Sequence, residues 1–255
     1  MLNASIKDLV TTVEYKEFCN LTVDYASAIT NKDKKYVQSL IEEKTLKLSK
    51  RLNLKLNVVL KSFTTMHKLR DILNKILGRD NLVVGELGAH KGGSTKVIAE
   101  WLGSKGHLTV VEWFQGSPRG IPDEWAVAPD DKGEIKAEFL ETMKPYEDIY
   151  TLMEMSSEEA SWEIESETFD WFWIDADHRY ENVKRDIELW YPKVKVGGIL
   201  AGHDYEGHTY DERYVNIDCK AVKGMTAVHH GVVKAVTERF GEPNHFDNYW
   251  WVRKE

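Results

Sequence analysis

Two short segments gather side chains that can do chemistry. Asp175-Ala176-Asp177-His178 follows the apolar run Phe169 to Ile174, and His203-Asp204-Tyr205 follows the run Gly197 to Gly202. If the two runs are neighbouring strands of one parallel sheet, Asp175 comes close to His203 and Asp204. Two carboxylates and an imidazole can then hold a divalent cation, Mg²⁺, Mn²⁺ or another transition metal. The alternative is that they orient loops through hydrogen bonds, without metal. His178 stands three residues beyond Asp175, on the first turn of the next helix. Imidazole titrates near neutrality, so it can take a proton from an acceptor hydroxyl. Asp177 is the rival base, or the partner that orients the ring. His229-His230, in a long loop, read as loop or capping residues, although one of them can reach an acceptor.

A third segment has a different character. Leu82-Val83-Val84-Gly85-Glu86-Leu87-Gly88-Ala89-His90-Lys91-Gly92-Gly93-Ser94-Thr95 reads as a buried strand, a tight turn and the start of an amphipathic helix. Glycines let a ligand approach the backbone, and the free N–H groups at a helix start favour an electron-rich group. The fitting occupant is a nucleotide-like cofactor. Glu112, directly after Leu108-Thr109-Val110-Val111, is placed to accept hydrogen bonds from ribose hydroxyls. Ser156 or Ser157 can cap the helix that comes next and also face the base of the cofactor, with capping the simpler role.

These segments need a scaffold, and the pattern from Asn81 onward supplies one. Strands are expected at 82–87, 108–113, 149–154, 169–175 and 197–203, with helices at 93–103, 133–143, 157–165 and 179–191. Such alternation implies an α/β fold: a parallel sheet with right-handed crossovers and helices on both faces. Ligands then bind outside the carboxyl ends of the strands. A helix from Gly231 to Phe240 leads to two short strands, Pro243 to Phe246 and Tyr249 to Arg253, joined by Asp247-Asn248 as a closing antiparallel hairpin. The long connections Phe114–Lys132 and Tyr205–His230 suit lids or substrate walls. Residues 1–78 have no Pro and little Gly, and their apolar residues fall at helical intervals, so they read as a helical appendage to a domain spanning 79–255.

Composition bounds the function. A chain that is 42% hydrophobic and 30% charged is of ordinary soluble type. No apolar run reaches membrane-spanning length, and residues 1–13 lack a signal peptide's apolar stretch. Cys19 and Cys219 read as reduced thiols of a cytoplasmic protein. The net charge of −8 argues against a nucleic-acid or anionic-membrane binder. Residues 31–80 nevertheless hold 13 Lys/Arg against 5 Asp/Glu. That basic segment is either a solvated helical face or an arm docking on an acidic surface, that of its own catalytic domain or of a second subunit, the latter giving a homo-oligomer.

Four motifs in register carry a resemblance. Glu86-Leu-Gly-Ala-His-Lys-Gly-Gly-Ser-Thr95, Trp173-Ile-Asp-Ala-Asp-His-Arg-Tyr180, Val196-Gly-Gly-Ile-Leu-Ala-Gly-His-Asp-Tyr205 and Gly231-Val-Val-Lys-Ala-Val236 resemble class I S-adenosylmethionine-dependent methyltransferases. The similar branch is methyltransferase family 24, near the macrocin-type sugar O-methyltransferases, and the likeness covers roughly residues 80 to 253. It implies a Rossmann-like fold and S-adenosylmethionine as cofactor. Glu86, Gly88, Ala89, Gly92 and Ser94 would hold its methionine part, Glu112 its ribose, and Ser156 would lie by its adenine. Asp175 borders this site and, with His203 and Asp204, matches the Mg²⁺ ligands of metal-dependent relatives. The base falls two or three residues after Asp175, at Asp177 or His178. Two departures stand out: the fifth-strand pair begins with His203 instead of an acid, and His90 replaces the usual second glycine.

The expected reaction is O-methylation of a small hydroxylated acceptor, a sugar or natural product. A cephalosporin-hydroxylase-like or inactive homologue would share the fold. An NAD-dependent oxidoreductase would need a Gly-x-Gly-x-x-Gly spacing that Gly88-Ala-His-Lys-Gly92 lacks. A non-enzymatic module built on the N-terminal helices is the reading from outside enzymology.

Overall fold

In a computed structural model of the chain, residues 69, 73, 81–116, 133–207, 209–220, 228–246 and 248–255 are described. The chain divides into two units, Met1–Asp71 and Ile72–Glu255. The helical appendage expected over 1–78, its basic segment and Cys19 lie outside the described residues, apart from Leu69 and Leu73. All the candidate site residues belong to the second unit.

The strands of that unit are β1 (Leu82–Leu87), β2 (Gly106–Val111), β3 (Tyr150–Met153), β4 (Phe169–Ile174), β5 (Val194–Gly202), β6 (Asn244–Phe246) and β7 (Tyr249–Arg253). Between them run α1 (Gly93–Leu102), α2 (Glu134–Met143), α3 (Ser157–Glu163), α4 (Tyr180–Trp190) and α5 (His230–Phe240). The sheet order is β3-β2-β1-β4-β5-β7-β6. β1 to β5 pair in parallel, and β7 is antiparallel to both β5 and β6. The expected Rossmann-like α/β sheet with its closing hairpin is therefore present. The order reverses between β1 and β4, so the ends of those two strands mark the switch point, the usual ligand position in such sheets.

Central position explains the composition of β4, in which every residue is buried. A strand covered on both faces reads as a continuous apolar run, which is why Phe169-Asp170-Trp171-Phe172-Trp173-Ile174 shows no alternation. Phe172 stacks on Trp190 of α4 at 4.4 Å between ring centroids. Gly85 on β1 makes room for that ring: a Cβ there would sit 2.3 Å from Phe172 Cδ2. Asp170 is the one acid inside the strand, and it accepts from the Val83 backbone N–H at 3.0 Å and from Lys195 Nζ at 2.9 Å. These partners satisfy a carboxylate that burial would otherwise leave without hydrogen bonds.

β2 corrects one expected boundary. Pairing with β1 begins at Gly106 and ends at Val111, so Glu112 lies just past the strand. Among the described residues, no helix is long and apolar enough to cross a membrane.

Candidate active site

The Gly-rich turn is held by the strands beside it. Gly88 N–H donates to Val111 O at 3.0 Å, and Asp175 N–H donates to Leu87 O at 2.9 Å. Gly88 has φ +85°, and a Cβ on it would meet Asp175 O at 2.1 Å. The turn and the end of β4 thus touch, and only glycine fits between them. His90, in place of the usual glycine, also takes a left-handed backbone with φ +47°. The position demands that conformation whichever residue fills it.

Two acids serve this turn in opposite ways. Glu112 Oε2 accepts from the N–H groups of Ala89 at 3.0 Å and His90 at 2.8 Å, and Oε1 accepts from Phe114 N–H at 2.8 Å. It fixes the turn while standing at the predicted ribose position. Glu86 is fully buried, and neither of its oxygens has a hydrogen-bond partner among the described residues. Burial pushes its carboxyl up to about 8, against the pull of the neighbouring Ser94 and Thr95 hydroxyls, with Asp175 and Glu112 adding to the rise. Gly92 is the N-cap residue of α1 in a left-handed conformation, with Ser94 in the first turn.

Ser156 caps α3 in a reciprocal capping box with Glu159. Ser157 Oγ donates to Asp186 Oδ1 at 2.5 Å and accepts from Trp190 Nε1 at 2.9 Å, so it ties α3 to α4. Of the two roles open to this pair, the simpler one, capping, is the one seen.

At the ends of β4 and β5 the predicted chemical residues meet. Ligand atoms of Asp175, His203 and Asp204 lie within 4.8 Å of one another. His203 Nδ1 is 3.0 Å from Asp204 Oδ1 and 4.0 Å from Asp175 Oδ1, while Asn248 Nδ2 fixes the far side of the ring at 3.0 Å from Nε2. His178 Nδ1 is 2.6 Å from Asp218 Oδ1. Its Nε2 lies 3.1 Å from Asp204 Oδ2 and 3.8 Å from Asp175 Oδ1, close enough for ion pairing but without hydrogen-bond alignment.

Asp177 is turned to other work. Its carboxylate takes the guanidinium and backbone N–H of Arg179, with 2.8 Å to the latter. Burial opposes its ionisation, but Arg179 outweighs burial and holds the carboxyl below its usual range. Between the two candidate bases, only His178 stands in the cluster.

Charge dominates this region. Burial works to discharge the three imidazoles, yet the carboxylates prevail: His203 is pushed up to about 8, His229 to about 10, and His178 well above its ordinary value. For His203 the lifting groups are Asp204 and Asp175; for His178 they are Asp175, Asp204 and Asp218. Asp204 is driven the other way. Burial alone would raise it, but His203, His229 and His178 hold it far below the carboxylate range.

Three members are not among the site residues expected from the sequence. Glu206, Asp218 and His229 come from the connection after β5. His229 Nδ1 lies 2.7 Å from Glu206 Oε1 and 3.4 Å from Asp204 Oδ1. His229 is indeed the N-cap residue of α5, but its ring joins the cluster. His230 faces elsewhere, accepting from Asp211 N–H at 3.1 Å. The available signal was the Tyr205–His230 loop itself, which is longer than the topology needs and rich in acids and histidines.

Known proteins agree with this architecture. Residues 86–205, from the acid of the turn to just past the fifth-strand pair, match the family 24 model described as a methyltransferase domain. Over that stretch the chain is similar to the methyltransferase family. No curated protein sequence matches it. The calicheamicin methyltransferase CalS11 superposes with a TM-score of 0.53 at 13% identity, covering 99% of this chain and 97% of that one. Cofactor-bound Rv0187 from MTB gives 0.51 at 14% identity over 75% of this chain and 81% of its own. An O-methyltransferase from Bacillus cereus in complex with SAH gives 0.50 at 14% identity over 92% and 96%. At such identities the likeness establishes the class I methyltransferase fold. The matched stretch spans the Gly-rich turn and Asp175, His178, His203 and Asp204.

Proposed function

We propose that the protein transfers a methyl group from S-adenosylmethionine to a hydroxyl of a small hydroxylated acceptor, a sugar or natural product, with a divalent cation beside the acceptor. The observation that carries this reading is adjacency. The turn suited to a nucleotide-like donor touches the end of β4, where Asp175 begins a cluster of carboxylates and imidazoles.

The residues fit the donor. Gly88 and Gly92 leave the turn without Cβ atoms, and Glu86 offers two buried oxygens that no described residue engages, suited to a cationic amine. Glu112 would reach ribose hydroxyls by sharing oxygens that now fix the turn. When bound, S-adenosylmethionine supplies a methyl group on a sulfonium, which needs only in-line alignment with a nucleophilic oxygen. CalS11 is described as a TDP-rhamnose 3′-O-methyltransferase, and its likeness over nearly the whole chain supports a sugar-type acceptor.

The residues also fit a cation. Asp175, His203 and Asp204 converge with mixed oxygen and nitrogen donors. A cation held there supplies Lewis acidity to an acceptor oxygen. His178 is the proton acceptor. In its neutral form the Nδ1–H donates to Asp218, leaving the Nε2 lone pair directed at the cluster. The hydroxyl proton passes to Nε2 as the oxygen takes the methyl group. Asp175, Asp204 and Asp218 stabilise the imidazolium that results.

The test is transfer of tritiated methyl from labelled S-adenosylmethionine to a panel of hydroxylated sugars and natural products. Asp175→Ala is expected to lower turnover roughly 100-fold or more, and chelator to reduce it. Full activity in chelator would remove the cation from the mechanism. Absence of methyl transfer across the panel, together with no S-adenosylhomocysteine binding, would reject the reading.

A further inference from the structure

The cluster holds more ligand atoms than one cation uses. Besides Asp175, His203 and Asp204, a second group formed by Asp204, Glu206 and His229 also brings its ligand atoms within 4.8 Å of one another. Asp204 belongs to both groups. Its Oδ1 lies 3.0 Å from His203 Nδ1 and 3.4 Å from His229 Nδ1.

The second group is preformed. Glu206 Oε1 is 2.7 Å from His229 Nδ1, and its other oxygen accepts the His229 backbone N–H at 3.0 Å. Carboxylate and ring are thereby fixed on each other before any ligand arrives. The three side chains are only 12–14% exposed. Asp204 sits at φ +60°, a left-handed backbone that a non-glycine residue keeps only where its surroundings impose it.

We propose that Asp204, Glu206 and His229 form a second divalent-cation position, sharing Asp204 with the first. The imidazole nitrogen sets the class of ion: Zn²⁺, Co²⁺ or Mn²⁺, in preference to Mg²⁺ or Ca²⁺, which take oxygen ligands. Shared carboxylates are how paired ions about 3.5–4 Å apart are held. Asp218 and His178 close the wall beside His229, within the same 4.8 Å limit.

This second position rests on the reading of a cation at Asp175, and the two separate in one experiment. The full chain is stripped with chelator and titrated with Mn²⁺, with bound ion measured by equilibrium dialysis and EPR. The wild type is expected to bind two equivalents with spin coupling between neighbouring ions. Glu206→Gln and His229→Gln, each checked for native circular dichroism, are expected to bind one equivalent and to lose the coupling. Glu206→Gln keeps an acceptor for the His229 N–H, so its fold is the safer of the two. Equal stoichiometry in wild type and both variants overturns the second position. A single equivalent that Asp175→Asn removes and Glu206→Gln spares overturns it too, leaving the first intact. A single equivalent lost in all three variants means one shared ion and likewise overturns it. A single equivalent that Glu206→Gln removes and Asp175→Asn spares supports the second position and rejects the first. No binding rejects both.

Discussion

The two halves of the site are built by opposite means. Beside β1 and β2 the work is done by backbone: glycines in left-handed conformations, N–H groups gathered by Glu112, and one acid, Glu86, left without a partner among the described residues. Beside β4 and β5 it is done by side chains: seven carboxylates and imidazoles, several of them drawn from the loop after β5, hold one another's charge. A cofactor can be held by a shape. An acceptor and its proton need placed charges, and those can come from any loop that reaches the strand ends.

The contrast can be broken from either half. The largest effect among these tests is expected at Gly88. Alanine there must adopt a left-handed backbone and would strike Asp175 O at 2.1 Å, so it should destabilise the domain by on the order of 3 kcal/mol and abolish cofactor binding. Denaturant unfolding and calorimetric titration read both effects. A Gly88→Ala protein with unchanged stability would show that the turn is not shape-limited.

Glu86 gives the pH test. Its folded carboxyl is raised to about 8 from an ordinary 4.5, so the folded state keeps a proton that the unfolded state loses. The associated stability is complete below about 4.5 and is lost as pH rises toward about 8. Glu86→Gln, which cannot ionise, should therefore match wild type near pH 4 and exceed it by roughly a few kcal/mol near pH 9. It should also weaken S-adenosylhomocysteine binding. Parallel stability curves for the two proteins would mean that Glu86 has a partner in solution.

The acid–imidazole half should respond through catalysis before stability. Asp218→Asn leaves His178 Nδ1 a neutral partner in place of a carboxylate 2.6 Å away. Turnover is expected to fall on the order of 10-fold. The limb of the pH–rate profile set by deprotonation of His178 should move to lower pH as the imidazolium loses support. A lower rate with an unmoved profile would make Asp218 a packing residue only. The smallest effect belongs to Ser156→Ala, which removes the capping box of α3 and should cost about 1 kcal/mol with little change in cofactor affinity. A large loss of affinity would place Ser156 at the adenine site.

Legibility in the sequence divides along the same line. β1, α1 and the Gly-rich turn were placed to within a residue, because backbone shape is written locally in glycine spacing and apolar runs. Asp175, His203 and Asp204 were legible as well, since a parallel sheet brings the ends of adjacent strands together. Glu112 stands one position outside its expected strand: it lies past β2 because its carboxylate turns back to the N–H groups of Ala89 and His90. Asp177 matched the spacing of a base, but Arg179, two residues on, claims it. Glu206 and Asp218 were out of reach, and His229 was legible only as one of two loop histidines that could reach an acceptor, because no periodicity fixes where a long loop folds back.

The central claim is that the turn binds S-adenosylmethionine for transfer next door. Calorimetric titration of the full chain with S-adenosylhomocysteine, with NAD as the rival ligand, tests it most directly. The account predicts saturable one-to-one binding of S-adenosylhomocysteine, abolished in Gly88→Ala, and no binding of NAD. Binding of NAD without S-adenosylhomocysteine would contradict it.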